Sequence, residues 1–284
     1  MDGFSWAENL AFDGIGSLFV SDAVTGKLWR IYLCGDTYCK TTHLADAFDQ
    51  FGGLAVTPDG TTLFAGVTFT DGSHGVVKTS TAPTSGQATW DLVAITEHQP
   101  NGMAGDWQRG VLYCTDEGVS SGNGTVVSID IKTGVAALIK DDIGGADGAW
   151  FDEKNSILFI GELLTMKIWV YDVGKQMEIG SFPGLNSLGG VHMMDDIVLD
   201  ITGTDVSSMG KTKMIGTDWT GRQVMRFTLD GSEITKLAMP EGVTLKEPTS
   251  ARWGRGPGFS ETSLYVTEGG GATKHETGRR VFQL

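Results

Sequence analysis

The strongest constraint on this chain is a phrase that returns six times, at a spacing of roughly 47 residues. Its first copy reads Glu8-Asn9-Leu10-Ala11-Phe12-Asp13, a glycine turn, Leu18-Phe19-Val20-Ser21-Asp22, a Thr25-Gly26 turn, then Lys27-Leu28-Trp29-Arg30-Ile31. Short apolar runs punctuated by turn residues are the pattern of strands in meander order. The phrase resumes at Gly53-Leu54-Ala55-Val56, Asn101-Gly102-Met103-Ala104, Asp147-Gly148-Ala149-Trp150, Asp195-Asp196-Ile197-Val198 and Pro248-Thr249-Ser250-Ala251. Between copies, segments such as 90–95 and 232–237 alternate in polarity and suit a fourth, outermost strand. The fold class predicted is all-β: a six-bladed β-propeller of four-stranded antiparallel blades around a central channel, with residues 1–284 as one domain. The sixth copy ends on its third strand, and only seven residues precede Glu8, so blade six is expected to be short or to want an N-terminal strand.

Composition agrees, with 41 glycines, 8 tryptophans and only 7 prolines, as many short strands and tight turns require. The net charge of −14, from 35 acidic against 21 scattered basic residues, argues against nucleic acid and anionic membrane as partners. No apolar run approaches the roughly 20 residues of a membrane span. A soluble monomer acting on a small molecule is the expectation. With three cysteines a disulfide framework is excluded; Cys34 and Cys39 either bridge a hairpin or stay reduced, and a cytoplasmic location is expected, a secreted mature form being the alternative.

The residue just before each innermost strand recurs around the axis at one mouth of the channel. That position carries Glu8, Gly52 or Gly53, Asn101, Asp147, Asp195 and a residue within 247–249. Three carboxylates aimed at one narrow axis repel each other and lose hydration, and a bound cation compensates them most simply. All the donors are hard oxygens, so Glu8, Asn101, Asp147 and Asp195 are read as ligands of Ca2+, with Mg2+, Mn2+ or Zn2+ as possible substitutes. Asn and Asp also start turns, but turn-starting alone does not require the period to place every acid on the axis.

The phrases Ala7-Glu8-Asn9-Leu10, Pro100-Asn101-Gly102-Met103, Ala146-Asp147-Gly148-Ala149 and Met194-Asp195-Asp196-Ile197 resemble the calcium-ligand phrases of the gluconolactonase and regucalcin (senescence marker protein) family, related to diisopropyl fluorophosphatase and paraoxonase. The resemblance covers essentially the whole chain. It implies that Glu8, Asn101, Asp147 and Asp195 hold calcium and that Asp195 is also the general base or nucleophile. Three places depart from the family pattern, the first blade among them, which reads Glu8-Asn9-Leu10 where Glu-Gly-Pro is familiar. Asp147 stands where Asn is usual, and Gln99 stands where an Arg contacts the sugar, which points away from an aldonolactone.

A calcium ion with an open position polarises a carbonyl or phosphoryl oxygen, so the expected activity is calcium-dependent hydrolysis of a small lactone, ester or organophosphate. His192, three residues before Asp195, is a candidate acid or base, and His98 a weaker one. Loops sharing the ligand face contribute Gln99, Glu117, Glu162 and Trp219 as candidate substrate contacts, together with Asp22 and the stretches 68–74 and 268–275. Other classes remain on the same fold: a cyclase, an isomerase, a condensing enzyme resembling strictosidine synthase, or a non-enzymatic binding propeller.

Overall fold

The computed structural model describes residues 3–44, 48–82, 88–118, 123–188, 192–201, 208–270 and 280–284. Six antiparallel sheets form a ring, five of four strands and one of three, each in plain meander order. Their innermost strands are Ala7–Phe12, Phe48–Val56, Met103–Asp106, Ala146–Asp152, Met194–Leu199 and Pro248–Trp253. Apart from two single-turn 3-10 helices, Asn186–Leu188 and Met209–Lys211, the described residues contain no helix, and none is long and apolar enough to cross a membrane. The third strand of blade six, Arg280–Gln283, has no outer partner among the described residues.

The core is six apolar layers, one between each pair of neighbouring blades. In the second strand of blade 1, Leu18 and Val20 pack toward Phe259, Tyr265 and Val281 of blade 6, while Phe19 between them packs toward Phe51, Leu54 and Leu63 of blade 2. Blade 4 repeats the device, with Phe159 facing blade 5 and Leu158 and Ile160 facing blade 3. A strand covered on both faces needs apolar residues at consecutive positions, which is why the second strands read as continuous hydrophobic runs. Among the described residues the ring closes without a strand shared between its ends. Phe12 meets the rings of Phe259 and Tyr265 edge-on at 5.0 and 5.2 Å, and Thr249 Oγ1 donates to the Ala7 carbonyl at 2.7 Å.

Cys34 and Cys39 are joined across the hairpin of the third and outer strands of blade 1, Cα atoms 5.8 Å apart. Cys114 is buried, and burial pushes its thiol up to about 12, so it is unreactive near neutrality.

Candidate active site

Five of the six innermost strands carry the same irregularity. Pairing with the second strand slips between Ala7 and Leu10, Phe51 and Leu54, Ala146 and Ala149, Met194 and Ile197, and Pro248 and Ala251. Two residues there oppose one, and such a bulge re-aims side chains out of the pleat. The first residue of the pair is Glu8, Gly52, Asp147, Asp195 and Thr249 in turn, and Asn101 holds the corresponding place just ahead of the strand in blade 3. The two positions that sequence left open thus resolve to Gly52 and Thr249.

A repeated hydroxyl holds these bulges. Ser21 Oγ accepts from Asn9 N at 2.9 Å, Thr115 Oγ1 from Gly102 N at 2.7 Å, Thr217 Oγ1 from Asp196 N at 2.9 Å and Thr267 Oγ1 from Ser250 N at 2.9 Å. Three of them also reach the next blade. Thr115 donates to the Asp147 carbonyl, Thr217 to that of Thr249 at 3.0 Å and Thr267 to that of Glu8 at 2.7 Å. The backbones of Glu8 and Asp147 are therefore fixed by the preceding blade. The packing is close: a Cβ on Gly102 would meet the Asp147 carbonyl oxygen at 2.2 Å, so only glycine fits. Sequence reasoning passed over these hydroxyls, although Ser21-Asp22, Thr115-Asp116, Thr217-Asp218 and Thr267-Glu268 recur at the ends of second strands.

Glu8, Asn101, Asp147 and Asp195 line one cavity of about 830 Å3 at this mouth, together with Gln99, Glu117, Trp219 and His98. Asn101 Nδ2 donates to Asp147 Oδ1 at 2.7 Å and to Glu117 Oε1. Trp6 Nε1 donates to Glu8 Oε2 at 2.5 Å. An apolar sector of Phe51, Leu163, Leu164 and Met193 completes the wall, and among the described residues no lysine or arginine lines it.

Asp116 lines the cavity, whereas the other second-strand acids face elsewhere. Glu162 is buried, accepts from Thr165 Oγ1 and lies outside the cavity lining. Asp22 accepts from the backbone N–H groups of Ser5, Val24 and Thr25, and Glu268 from Lys246 N and Arg280 Nε. Each acid is occupied in ordering its own loops, as buried carboxylates must be. His192 is also outside the lining, its Nδ1 2.7 Å from Oδ2 of the buried Asp218. Of the stretch 268–275, residues 271–275, His275 included, lie outside the described residues.

Electrostatics mark the cavity as short of positive charge. Burial, then Glu117, pushes Glu8 up to about 8, with Trp6 opposing and Asp196 adding. Asp195 is held well above the usual carboxylate range by burial, Glu8 and Glu117, and Asp147 by burial, Asp195 and Glu117. Glu117 is raised by burial and by Asp116. Among the described residues, no three His, Cys, Asp or Glu side chains converge tightly enough to enclose an ion by themselves. The donor set nevertheless fits one. It consists of oxygens from separate blades around a shared space, mutually repelling, with an amide and an indole as their neutral donors.

Fold and cavity together define a six-bladed propeller with an acidic pocket on its axis. No family model and no curated protein matches the chain. Solved structures do. A luciferin-regenerating enzyme aligns over 100% of this chain and 92% of its own, at 12% identity and a TM-score of 0.75. Regucalcin from Agrobacterium tumefaciens, described as a calcium-binding protein, aligns over 99% and 90% at 17% identity and a TM-score of 0.71. An auxiliary nutrient binding protein from Bacteroides ovatus aligns over 93% and 67% at 14% identity and a TM-score of 0.68. At these identities the likeness is one of fold.

Proposed function

We propose that the chain is a calcium-dependent hydrolase of a small, neutral, partly apolar lactone or ester, with organophosphates as a further substrate class. The observation that carries this reading is the convergence of Glu8, Asn101, Asp147 and Asp195, from equivalent places in four blades, on one half-apolar cavity. The structural likeness to a calcium-binding protein and to an enzyme supports it.

Glu8, Asn101, Asp147 and Asp195 would hold the cation, which when bound supplies polarisation of a carbonyl or phosphoryl oxygen. Asp195 takes a proton from the attacking water as its oxygen bonds to the acyl carbon, and returns it to the departing alkoxide as the ester C–O bond breaks. Trp6, Trp219 and the Phe51, Leu163, Leu164, Met193 sector exclude bulk water and seat the apolar part of the substrate. With no lysine or arginine among the described residues of the lining, an anionic substrate would find no counter-charge there. Gln99, in the lining, offers an amide to a neutral oxygen. The Cys34–Cys39 bridge suits an oxidising compartment better than the cytoplasm to which cysteine usage alone points.

The test is a screen of lactones, aryl esters and organophosphates at limiting and saturating calcium. Asp195→Asn keeps an oxygen ligand and is expected to retain metal while kcat falls by about 10²–10⁴. Glu8→Gln is expected to raise the calcium concentration needed for activity. An Asp195→Asn variant as fast as wild type at saturating calcium would remove the proton-transfer role. Failure of the calcium-loaded protein on every class would remove the hydrolase reading.

A further inference from the structure

The channel has a second mouth, at the far ends of the same innermost strands, roughly four residues or 13 Å beyond the carboxylates. It opens into a smaller cavity of about 220 Å3. Its character is opposite to the first. In a chain with net charge −14, the charged residues lining this cavity among the described residues are Arg252 and Arg255, and its aromatic walls include Trp107, Trp150 and Trp253.

The two arginines are not equivalent. Arg252 is already committed, its Nη1 donating to Oδ2 of the buried Asp196 and at 2.8 Å to the Ala251 carbonyl. Its guanidinium also lies 5.8 Å from the Trp150 ring centre. Arg255 has no carboxylate partner among the described residues. Its Nη2 donates to the Pro58 carbonyl at 2.5 Å. Two acids in the adjoining turns are engaged locally: Asp13 accepts from the N–H groups of Ile15, Gly16 and Ser17, and Asp59 from Thr57 and Thr61.

Both rim groups are seated on glycines. A Cβ on Gly14 would meet Arg255 Nε at 2.7 Å, and a Cβ on Gly105 would meet the Trp107 ring at 2.2 Å. The guanidinium and the indole thus lie directly against backbone at the edge of the cavity. Trp253 is fixed as well, its Nε1 donating to the Leu199 carbonyl at 2.9 Å.

We propose that this mouth is a separate binding site for a small aromatic carboxylate of one ring, its carboxylate on the Arg255 fork and its ring against the indoles. A planar guanidinium recognises a carboxylate bidentately. Indole faces hold a flat apolar body, and a cavity of this volume seats a single ring. The site is independent of the metal and of the hydrolase reading.

Benzoate is the probe, with benzamide as its neutral analogue, titrated by calorimetry and tryptophan fluorescence into the full-length protein in chelator. Benzoate is expected to bind and benzamide to bind at least about tenfold more weakly, the worth of a charge-assisted hydrogen bond. Arg255→Met is expected to weaken benzoate by a similar factor, Arg255→Lys to recover part of it, and Gly105→Ala to weaken it by displacing Trp107. Thermal melts establish that each variant is folded. The proposal is overturned if benzoate shows no binding at about 10 mM, a concentration at which even millimolar affinity saturates. It is also overturned if benzamide binds equally, if both Arg255 variants keep wild-type affinity, or if binding requires calcium, which would place the anion at the other mouth.

Discussion

Glu8 accepts from the Trp6 indole on one side and faces Glu117 on the other. Its ordinary value of 4.5 is raised to about 8 in the folded chain. Between those values the folded state binds more protons than the unfolded one, so metal-free stability falls as pH rises from about 4.5 to 8 and levels off above. Asp147 and Asp195 act in the same sense. A bound cation reverses the balance, because ionised carboxylates then gain a partner that the unfolded chain lacks. In chelator, the melting temperature is expected to drop between pH 5 and 9, less steeply in Glu8→Gln than in wild type, and calcium is expected to flatten the wild-type profile. Parallel profiles for the two proteins in chelator would show that Glu8 does not titrate in this window.

A single hydroxyl does two jobs at the blade boundary. Thr115 accepts from Gly102 N at 2.7 Å within its own sheet and donates to the Asp147 carbonyl of the next. Thr115→Val keeps the shape but strips a buried N–H and a buried C=O of their partner, a loss of about 1–3 kcal/mol. Because the same contact sets where Asp147 stands relative to Asn101, calcium affinity is expected to fall as well, and Thr115→Ser to restore both. Urea denaturation and calcium titration read the two effects separately. Unchanged affinity alongside lowered stability would assign Thr115 a purely structural role. The Thr-Asp and Thr-Glu dipeptides at second-strand ends were visible as letters, yet their division of labour was not. The hydroxyl turns toward the bulge and the next blade while Asp22, Asp218 and Glu268 bind loop groups, which follows from side-chain alternation once the bulge has fixed the register.

Closure of the ring rests on contacts between blades 1 and 6. Phe12 is buried against Phe259 and Tyr265, and the hydrogen bonds from Thr249 to Ala7 and from Thr267 to Glu8 bind the same seam. Phe12→Ala is expected to cost about 3–5 kcal/mol in urea denaturation. Each apolar layer is shared by two blades, so unfolding is expected to stay a single transition. A much smaller loss, or an intermediate with one end of the ring detached, would show that closure is carried elsewhere.

The six-fold period was sufficient for the propeller and for the acids at one mouth, because strands, turns and their spacing are local properties of the chain. Glu8, Asn101, Asp147 and Asp195 follow from that period and the family phrases, Gln99 from the family comparison, and Glu117 and Trp219 from loops sharing the ligand face, and they line one cavity. Glu162, from the same loops, and His192, from its place three residues before Asp195, do not line it. A buried acid spends its oxygens on the nearest unpaired donors, and which donors those are depends on loops folded back over the blade. Whether Gly52 or Gly53, and which of 247–249, faced the axis was likewise beyond the sequence. A bulge shifts the register by one residue and so reverses which side chains point inward. The basic, aromatic second mouth is the furthest from the sequence. Trp107, Trp150, Trp253 and Arg255 belong to three separate repeats, and only closure of the ring brings them to one rim.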